Sequence, residues 1–251
     1  MQLKEHQLKA VKELKNGSVL WGGVGTGKSL VAMTYYIENE TPKDVFVITT
    51  AKKRESLDWE KEASRYAIGT TQDSTVGGIL TVDSWNNIKK YEGIKNAFFI
   101  FDEQRSVGRG VWSGAFIKIA KQNRWILLSA TPGDTWLDYI SLFVANGFYK
   151  NATEFKREHV VYNHYAKFPK VDHYVGTGKL IRLRKQILVE MPYERKTRRL
   201  ATDIRVDYDV AAFDRVMKHR WNVFKDKPIR DVGELFIIMR KVVNSDPSRL
   251  E

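Results

Sequence analysis

The sequence predicts an α/β fold built on a mostly parallel sheet, and three observations carry that expectation. Five apolar runs, "SVLW" (18–21), "VFVITT" (45–50), "ILTV" (79–82), "AFFIF" (97–101) and "WILLS" (125–129), are continuous rather than alternating, the pattern of strands covered on both faces. Helical patterns such as "SLVAMTYYIENE" and "SLDWEKEASRY" separate them, and alternating strands and helices supply the crossovers a parallel sheet requires. A chain of 251 residues, 43% hydrophobic, has enough apolar mass for one large α/β domain and part of a second.

In chain order, the opening "MQLKEHQLKAVKEL" interleaves charged and apolar residues and lacks the apolar core of a signal peptide. The first strand runs straight into "GGVGTGKSL": Gly22, four residues, then Gly27, Lys28 and Ser29. This is G-x-x-x-x-G-K-S after a strand and before a helix, the context the phosphate-binding loop demands. Gly22, Gly25 and Gly27, with Thr26 among them, let backbone N–H groups curl around phosphates. Lys28 is placed to reach the β and γ oxygens of ATP, and Ser29 to ligate Mg2+, at a helix N-terminus favourable to anions. The fourth strand ends in Asp102-Glu103. An acidic pair there can hold Mg2+ through Asp102 and activate the attacking water through Glu103. The fifth strand ends in Ser129-Ala130-Thr131, small and hydroxyl-bearing, beside the expected γ-phosphate.

The pentapeptide VGTGK recurs at 175–179, but the position five before Gly178 is His173, and Leu180 follows Lys179. This copy reads as a turn entering the helix "KLIRLRKQILVEM", with Lys179 a candidate for a nucleic-acid backbone, and not as a second nucleotide site. Beyond "LDYISLFVANGFYKN" the chain becomes more basic and helical, as in "AFDRVMKHRWNVF" and "GELFIIMRKVVN". The expected organisation is an ATP-binding domain over 1–150 and a basic helical extension over 151–251. The extension holds 22 Lys/Arg against 14 Asp/Glu and so carries +8 of the net +12, a charge suited to a polyanion. With no cysteine, the chain has neither disulfides nor cysteine-based metal sites. No apolar run approaches the roughly 20 residues that span a bilayer, so a cytoplasmic location is expected, without a membrane partner.

The order of these pieces resembles superfamily 2 helicases and translocases, in particular the Swi/Snf-like branch, and extends to small phage-encoded helicases. "GVGTGKS" is similar to motif I of that family, "DEQR" to a motif II of the DEAH type, and "SATP" to motif III. "LKEHQLKAV" resembles the segment in which a glutamine, here Gln7, reads adenine. "VFVITTAKKRESLDWEKE" resembles motif Ia with the branch's Trp-x-x-Glu, "LTVDSW" motif Ib, and "LFIIMRKVVNSDP" the segment before the second motor domain. The resemblance implies a RecA-like P-loop NTPase fold, ATP and Mg2+ as ligands, and DNA held by its backbone through Thr50, Ala51, Lys52, Lys53, Arg54, Asp83 and Ser84. Motif II departs from the family pattern: Gln104-Arg105 stands where Ala-His or Cys-His is usual, so Arg105 would take over coupling to Ser129, Ala130 and Thr131. A second RecA-like domain, with motifs V and VI and an arginine finger, is expected to act with this one, in cis or in trans.

Alternatives stand beside some of these readings. "AKKRE" is either a DNA contact or a solvated helix start, and the seven basic residues from Arg182 to Arg199 are either a nucleic-acid face or the exposed side of a helix and its exit. Trp59, Trp125 and Trp221 read as core rather than base-stacking platforms. The implied activity is that of an ATP-dependent DNA helicase or translocase. An RNA helicase and a non-catalytic ATP-gated DNA-binding module are its rivals, while "DEQR" and "SATP" disfavour a small-molecule kinase.

Overall fold

A computed structural model describes residues 3–70, 78–103, 110–131, 133–163, 165–192 and 207–247. The chain divides into two compact units, 1–194 and 195–251.

All five predicted strands form, as β1 (Val19–Trp21), β2 (Val45–Thr49), β3 (Leu80–Ser84), β4 (Phe98–Asp102) and β5 (Arg124–Ser129). The sheet has a sixth strand, β8 (Leu188–Glu190), and runs in the order β3-β2-β4-β5-β1-β8 with every pairing parallel. Strand β4 shows why continuous apolarity was the right signal. Phe99 and Phe101 point into one core cluster with Phe116 and Trp125, while Phe98 and Ile100 point into the other with Met33, Tyr36 and Trp59. Helices α1 (Glu5–Glu13), α2 (Lys28–Asn39) and α4 (Asp58–Ser64) supply the second cluster, and α5 (Val111–Gln122) and α6 (Ile140–Ala145) the first. Between β2 and α4 lies the short α3 (Ala51–Glu55).

The expected boundary near residue 150 falls inside the first unit. Helices α7 (Ala152–His159) and α8 (Thr177–Ile187) deliver Phe155, Leu180 and Ile187 to the first core cluster, and β8 pairs directly with β1. The helical reading of "KLIRLRKQILVEM" therefore ran four residues too far; "LVE" is too short to announce a strand, and only the neighbouring β1 makes it one. Between α7 and α8 stands an antiparallel hairpin, β6 (Val160–Tyr162) with β7 (Val171–Tyr174).

The second unit contains α9 (Val210–His219), α10 (Val232–Asn244) and a short hairpin of β9 (Trp221–Asn222) with β10 (Lys227–Pro228). Val216, Leu235, Ile238 and Val242 form its small core, and Asp209 and Asp231 cap the two helices. Trp59 and Trp125 are buried as expected, whereas Trp221 is half-exposed and donates its indole N–H to Asp226. No helix among the described residues is long and apolar enough to cross a membrane.

Phe116 is fully buried, edge-on to Phe101 at 4.8 Å and to Trp125 at 5.1 Å. Phe116→Ala is expected to cost about 3–5 kcal/mol of stability, read from the midpoint of urea unfolding.

Candidate active site

In an open parallel sheet, ligands bind at the carboxyl ends of the strands. Five predicted features gather there: the loop 22–29 after β1, Thr50 after β2, Asp83-Ser84 at the end of β3, Asp102-Glu103 at the end of β4, and Ser129 at the end of β5. Register aligns them, with Trp21 opposite Ser129, Asp102 opposite Leu128, and Thr49 opposite Ser84.

The loop needs its glycines. Gly25 and Gly27 have φ of 83° and 85°, in the left-handed region, and Gly27 caps α2. At Gly22 a Cβ would meet Thr26 Oγ1 at 2.8 Å and Met191 at 3.2 Å. Thr26 is buried and its hydroxyl donates to the Gly23 carbonyl at 2.9 Å, closing the turn. Lys28 folds back over the loop, its ammonium donating to the carbonyls of Gly22 (2.6 Å) and Gly23 (3.0 Å). Burial pushes this ammonium below its ordinary pKa, and the Asp102 carboxylate opposes the shift. Ser29 is the second residue of α2.

Gln7, expected at the adenine, is buried beside the loop. Its amide donates to the Thr26 carbonyl at 3.0 Å, and its oxygen accepts the Lys4 N–H at 2.9 Å, which caps α1. Both ends of the side chain are thus spent on bracing the loop and starting the helix.

Asp102 is 3% exposed, and its Oδ2 accepts from the Thr49 hydroxyl (2.9 Å), the Lys53 ammonium (2.7 Å) and the Trp59 indole N–H (3.4 Å). The Asp102 carbonyl accepts from the Trp85 indole at 2.8 Å. Glu103 holds φ at 82°, unusual for a residue with a side chain, while its N–H donates to Leu128 O at 3.0 Å. Backbone held in a sparsely populated region concentrates at functional sites. The Ser129 hydroxyl donates to Thr131 O (2.7 Å) and accepts the Thr131 N–H (3.1 Å), and the Ala130 carbonyl accepts from Trp21 Nε1 (3.2 Å). Trp21, Gly22, Gly23, Ala130, Glu190, Met191 and Pro192 line a cavity of about 320 Å3 beside the loop. Gln104, Arg105 and Pro132 lie outside the described residues.

Ser29 and Asp102 offer the hard oxygen donors that suit Mg2+. The Asp102 carboxylate already takes a full positive charge from Lys53, so its surroundings accept a cation.

The structure redistributes the residues expected on DNA. Lys53 points to Asp102, and Arg54 Nε sits 3.5 Å from Asp83 Oδ1. Asp83 is buried; it accepts from its neighbour's N–H at Ser84 (2.7 Å), from Asn87 (2.8 Å) and from the Tyr91 hydroxyl (2.8 Å). Burial works against its charge, yet these hydrogen bonds outweigh it and hold the carboxyl below the usual carboxylate range. Ser84 is also buried, and the pair anchors the turn after β3. Thr50 caps α3, its hydroxyl accepting the Lys53 N–H at 3.4 Å, and Ala51 and Lys52 are exposed. Thr49 and Trp59, which the sequence suggested only as strand and core, turn out to be donors to Asp102.

The second VGTGK is a turn entering α8, as expected: Gly176, at φ 63°, caps the helix. Lys179 is half-exposed and already engaged by the protein's own groups. It pairs with Glu158 at 2.7 Å and lies 4.9 Å from the centre of the Tyr149 ring.

No family profile and no curated protein matches the chain. Solved structures with related folds do. The Sulfolobus solfataricus SWI2/SNF2 ATPase core in complex with dsDNA aligns at a TM-score of 0.57 and 16% identity, over 76% of this chain and 44% of that one. The chain therefore spans less than half the length of that core. The Pyrococcus furiosus Hef helicase domain aligns at a TM-score of 0.39 and 15% identity, over 63% of this chain and 40% of that one. The six-stranded parallel sheet with its flanking helices is the RecA-like P-loop NTPase fold, as found in the SWI2/SNF2 core.

Lys53 holds Asp102 through a half-exposed ion pair worth about 1 kcal/mol, which a metal ion at this carboxylate would have to displace. Lys53→Ala should lower the Mg2+ concentration needed for binding of a fluorescent ATP analogue by about fivefold, and an unchanged midpoint would remove Lys53 from the site.

Proposed function

We propose that the chain is the ATP-binding N-terminal motor domain of a DNA helicase or translocase, and that it couples ATP hydrolysis to movement on DNA. The observation that carries this reading is the Asp102 carboxylate, which lies at the strand end facing the phosphate loop and is bonded to Lys53 of α3. One carboxylate thus belongs both to the nucleotide site and to the segment that resembles motif Ia.

In this reading Lys28 leaves the Gly22 and Gly23 carbonyls for the β and γ phosphates of ATP, an exchange of neutral acceptors for charged ones. The loop N–H groups and the α2 N-terminus hold the remaining phosphate charge. Ser29 and Asp102 would hold Mg2+, which would supply positive charge against the phosphates. Glu103 orients and deprotonates water, and Arg105 with Ser129, Ala130 and Thr131 couples the site to motion. The S. solfataricus core, similar in fold, was solved with dsDNA. DNA, not RNA, is the favoured polymer on the strength of the Trp-x-x-Glu and "MRKVVNSDP" segments. Residues 151–251 hold no Gln-x-x-Gly-Arg-x-x-Arg pattern, so the activating arginine belongs to a second RecA-like domain, in cis or in trans.

Lys28→Ala should abolish nucleotide binding and Lys179→Ala leave it unchanged, both by equilibrium titration. Glu103→Gln should bind ATP and Mg2+ normally while turnover falls at least about a hundredfold. Normal turnover in that variant would remove Glu103 from the role of base, whereas absence of any turnover in the unsubstituted protein would favour a non-catalytic ATP-gated module.

DNA affinity should fall steeply with salt and be indifferent to sequence. Since Lys53 and Arg54 pair with carboxylates in the nucleotide-free state, Lys52→Glu alone should reduce the salt slope by about one in that state. Addition of the second domain should raise turnover by about 10³–10⁵, the worth of an arginine finger. Equal stimulation by RNA would favour the RNA helicase.

A further inference from the structure

The β6–β7 hairpin carries a feature that neither the ATP site nor the fold requires. Its tip, residues 163 and 165–170, exposes Tyr165 completely and Phe168 to 74%. Two aromatic rings within four residues contribute almost no burial to the domain, although an aromatic ring is among the largest apolar surfaces a chain can hide. Lys167, Pro169 and Lys170 are exposed beside them. Positions 160–171 contain no Asp or Glu, and the first carboxylate after them, Asp172, is engaged by His173 Nδ1 at 2.8 Å.

The tip is held in shape from below. Asn163 N–H donates to Lys170 O at 2.8 Å, the Asn163 side chain accepts the Tyr165 N–H at 2.8 Å, and Pro169 fixes its own φ. At the base, buried His159 bonds through Nδ1 to Val175 O (2.8 Å), and its Nε2 accepts the Tyr149 hydroxyl (2.7 Å), Tyr149 itself being buried in the core. A carbonyl can only accept, so the Val175 contact places a proton on Nδ1. The hairpin is thus a stalk whose base is tied to the core and whose tip carries rings and ammonium groups into solvent.

We propose that this tip is a contact for unpaired nucleotides, with Tyr165 and Phe168 stacking on bases and Lys167 and Lys170 facing the adjoining phosphates. The inference rests on the nucleic-acid reading of the previous section. An aromatic face accepts any base, and the lysines supply the charge that complements the backbone, the combination that binds single strands without regard to sequence. A duplex offers its bases only at its ends, so the contact discriminates single-stranded from blunt-ended DNA.

The test is fluorescence anisotropy of a labelled oligothymidylate and of a labelled blunt duplex, with binding of a fluorescent ATP analogue as the check that each variant is folded. Tyr165→Ala/Phe168→Ala should weaken single-strand binding by about tenfold to a hundredfold and duplex binding by less than about twofold. Tyr165→Phe/Phe168→Tyr, which keeps both rings, should restore the single-strand affinity. Lys167→Glu/Lys170→Glu should lower the salt slope on the single strand by about two. If the wild-type chain binds both DNAs and the double alanine variant binds the single strand equally well, the tip is not a base contact and the motor reading stands. If the wild-type chain binds neither DNA, both readings fall. Loss of sedimentation with phosphatidylserine vesicles in the alanine variant, with DNA binding intact, would assign the tip to a membrane surface and overturn the proposal.

Discussion

A carboxylate buried to 3% exposure cannot stand alone, because a charge removed from water needs donors to replace its hydration. Asp102 recruits them from three elements: Thr49 from β2, Lys53 from α3 and Trp59 from α4, while its own carbonyl takes the Trp85 indole N–H. The path of the chain from 49 to 59 is pinned by that single oxygen. Any change at that oxygen is felt by all three donors, so the end of β4 and α3 are electrostatically coupled.

The second pinned carboxylate is Asp83. It gathers the Ser84 N–H, Asn87, Tyr91 and Arg54, and fixes the turn after β3 as Asp102 fixes the chain after β2. Burial and the adjacent Asp83 charge push the Tyr91 hydroxyl above its ordinary pKa, so it remains a donor throughout the physiological range. Two of the three cations in "AKKR" therefore neutralise the protein's own acids. Formal charge along a sequence overstates what such a segment can offer a polyanion.

The sheet was legible because burial on both faces leaves a continuous apolar run, as in "AFFIF", and the phosphate loop because its glycines, lysine and serine sit at fixed spacing between a strand and a helix. Asp102 and Glu103 were legible from their place at a strand end. The direction in which a side chain leaves a helix was not. Lys53 and Arg54 are adjacent basic residues in sequence, and only the fold sends one to β4 and the other to β3. The same limit applies to β8, whose three residues become a strand through β1, and to Asp83, whose partners Asn87 and Tyr91 come together only when the turn after β3 closes. Gln7 was found at the loop but is occupied with backbone there. Arg105, on which the departure from the family pattern turns, lies outside the described residues.

Strand β8 has a mechanical consequence. It is the last strand to enter the sheet, yet it lies against β1, and Met191 N–H donates to the Trp21 carbonyl at 2.7 Å, one residue before the phosphate loop begins. The chain leaving at Pro192 is thus tethered to the root of that loop. Because β8 and β1 form a parallel ladder, a displacement of Trp21 at the root of the loop is shared with β8.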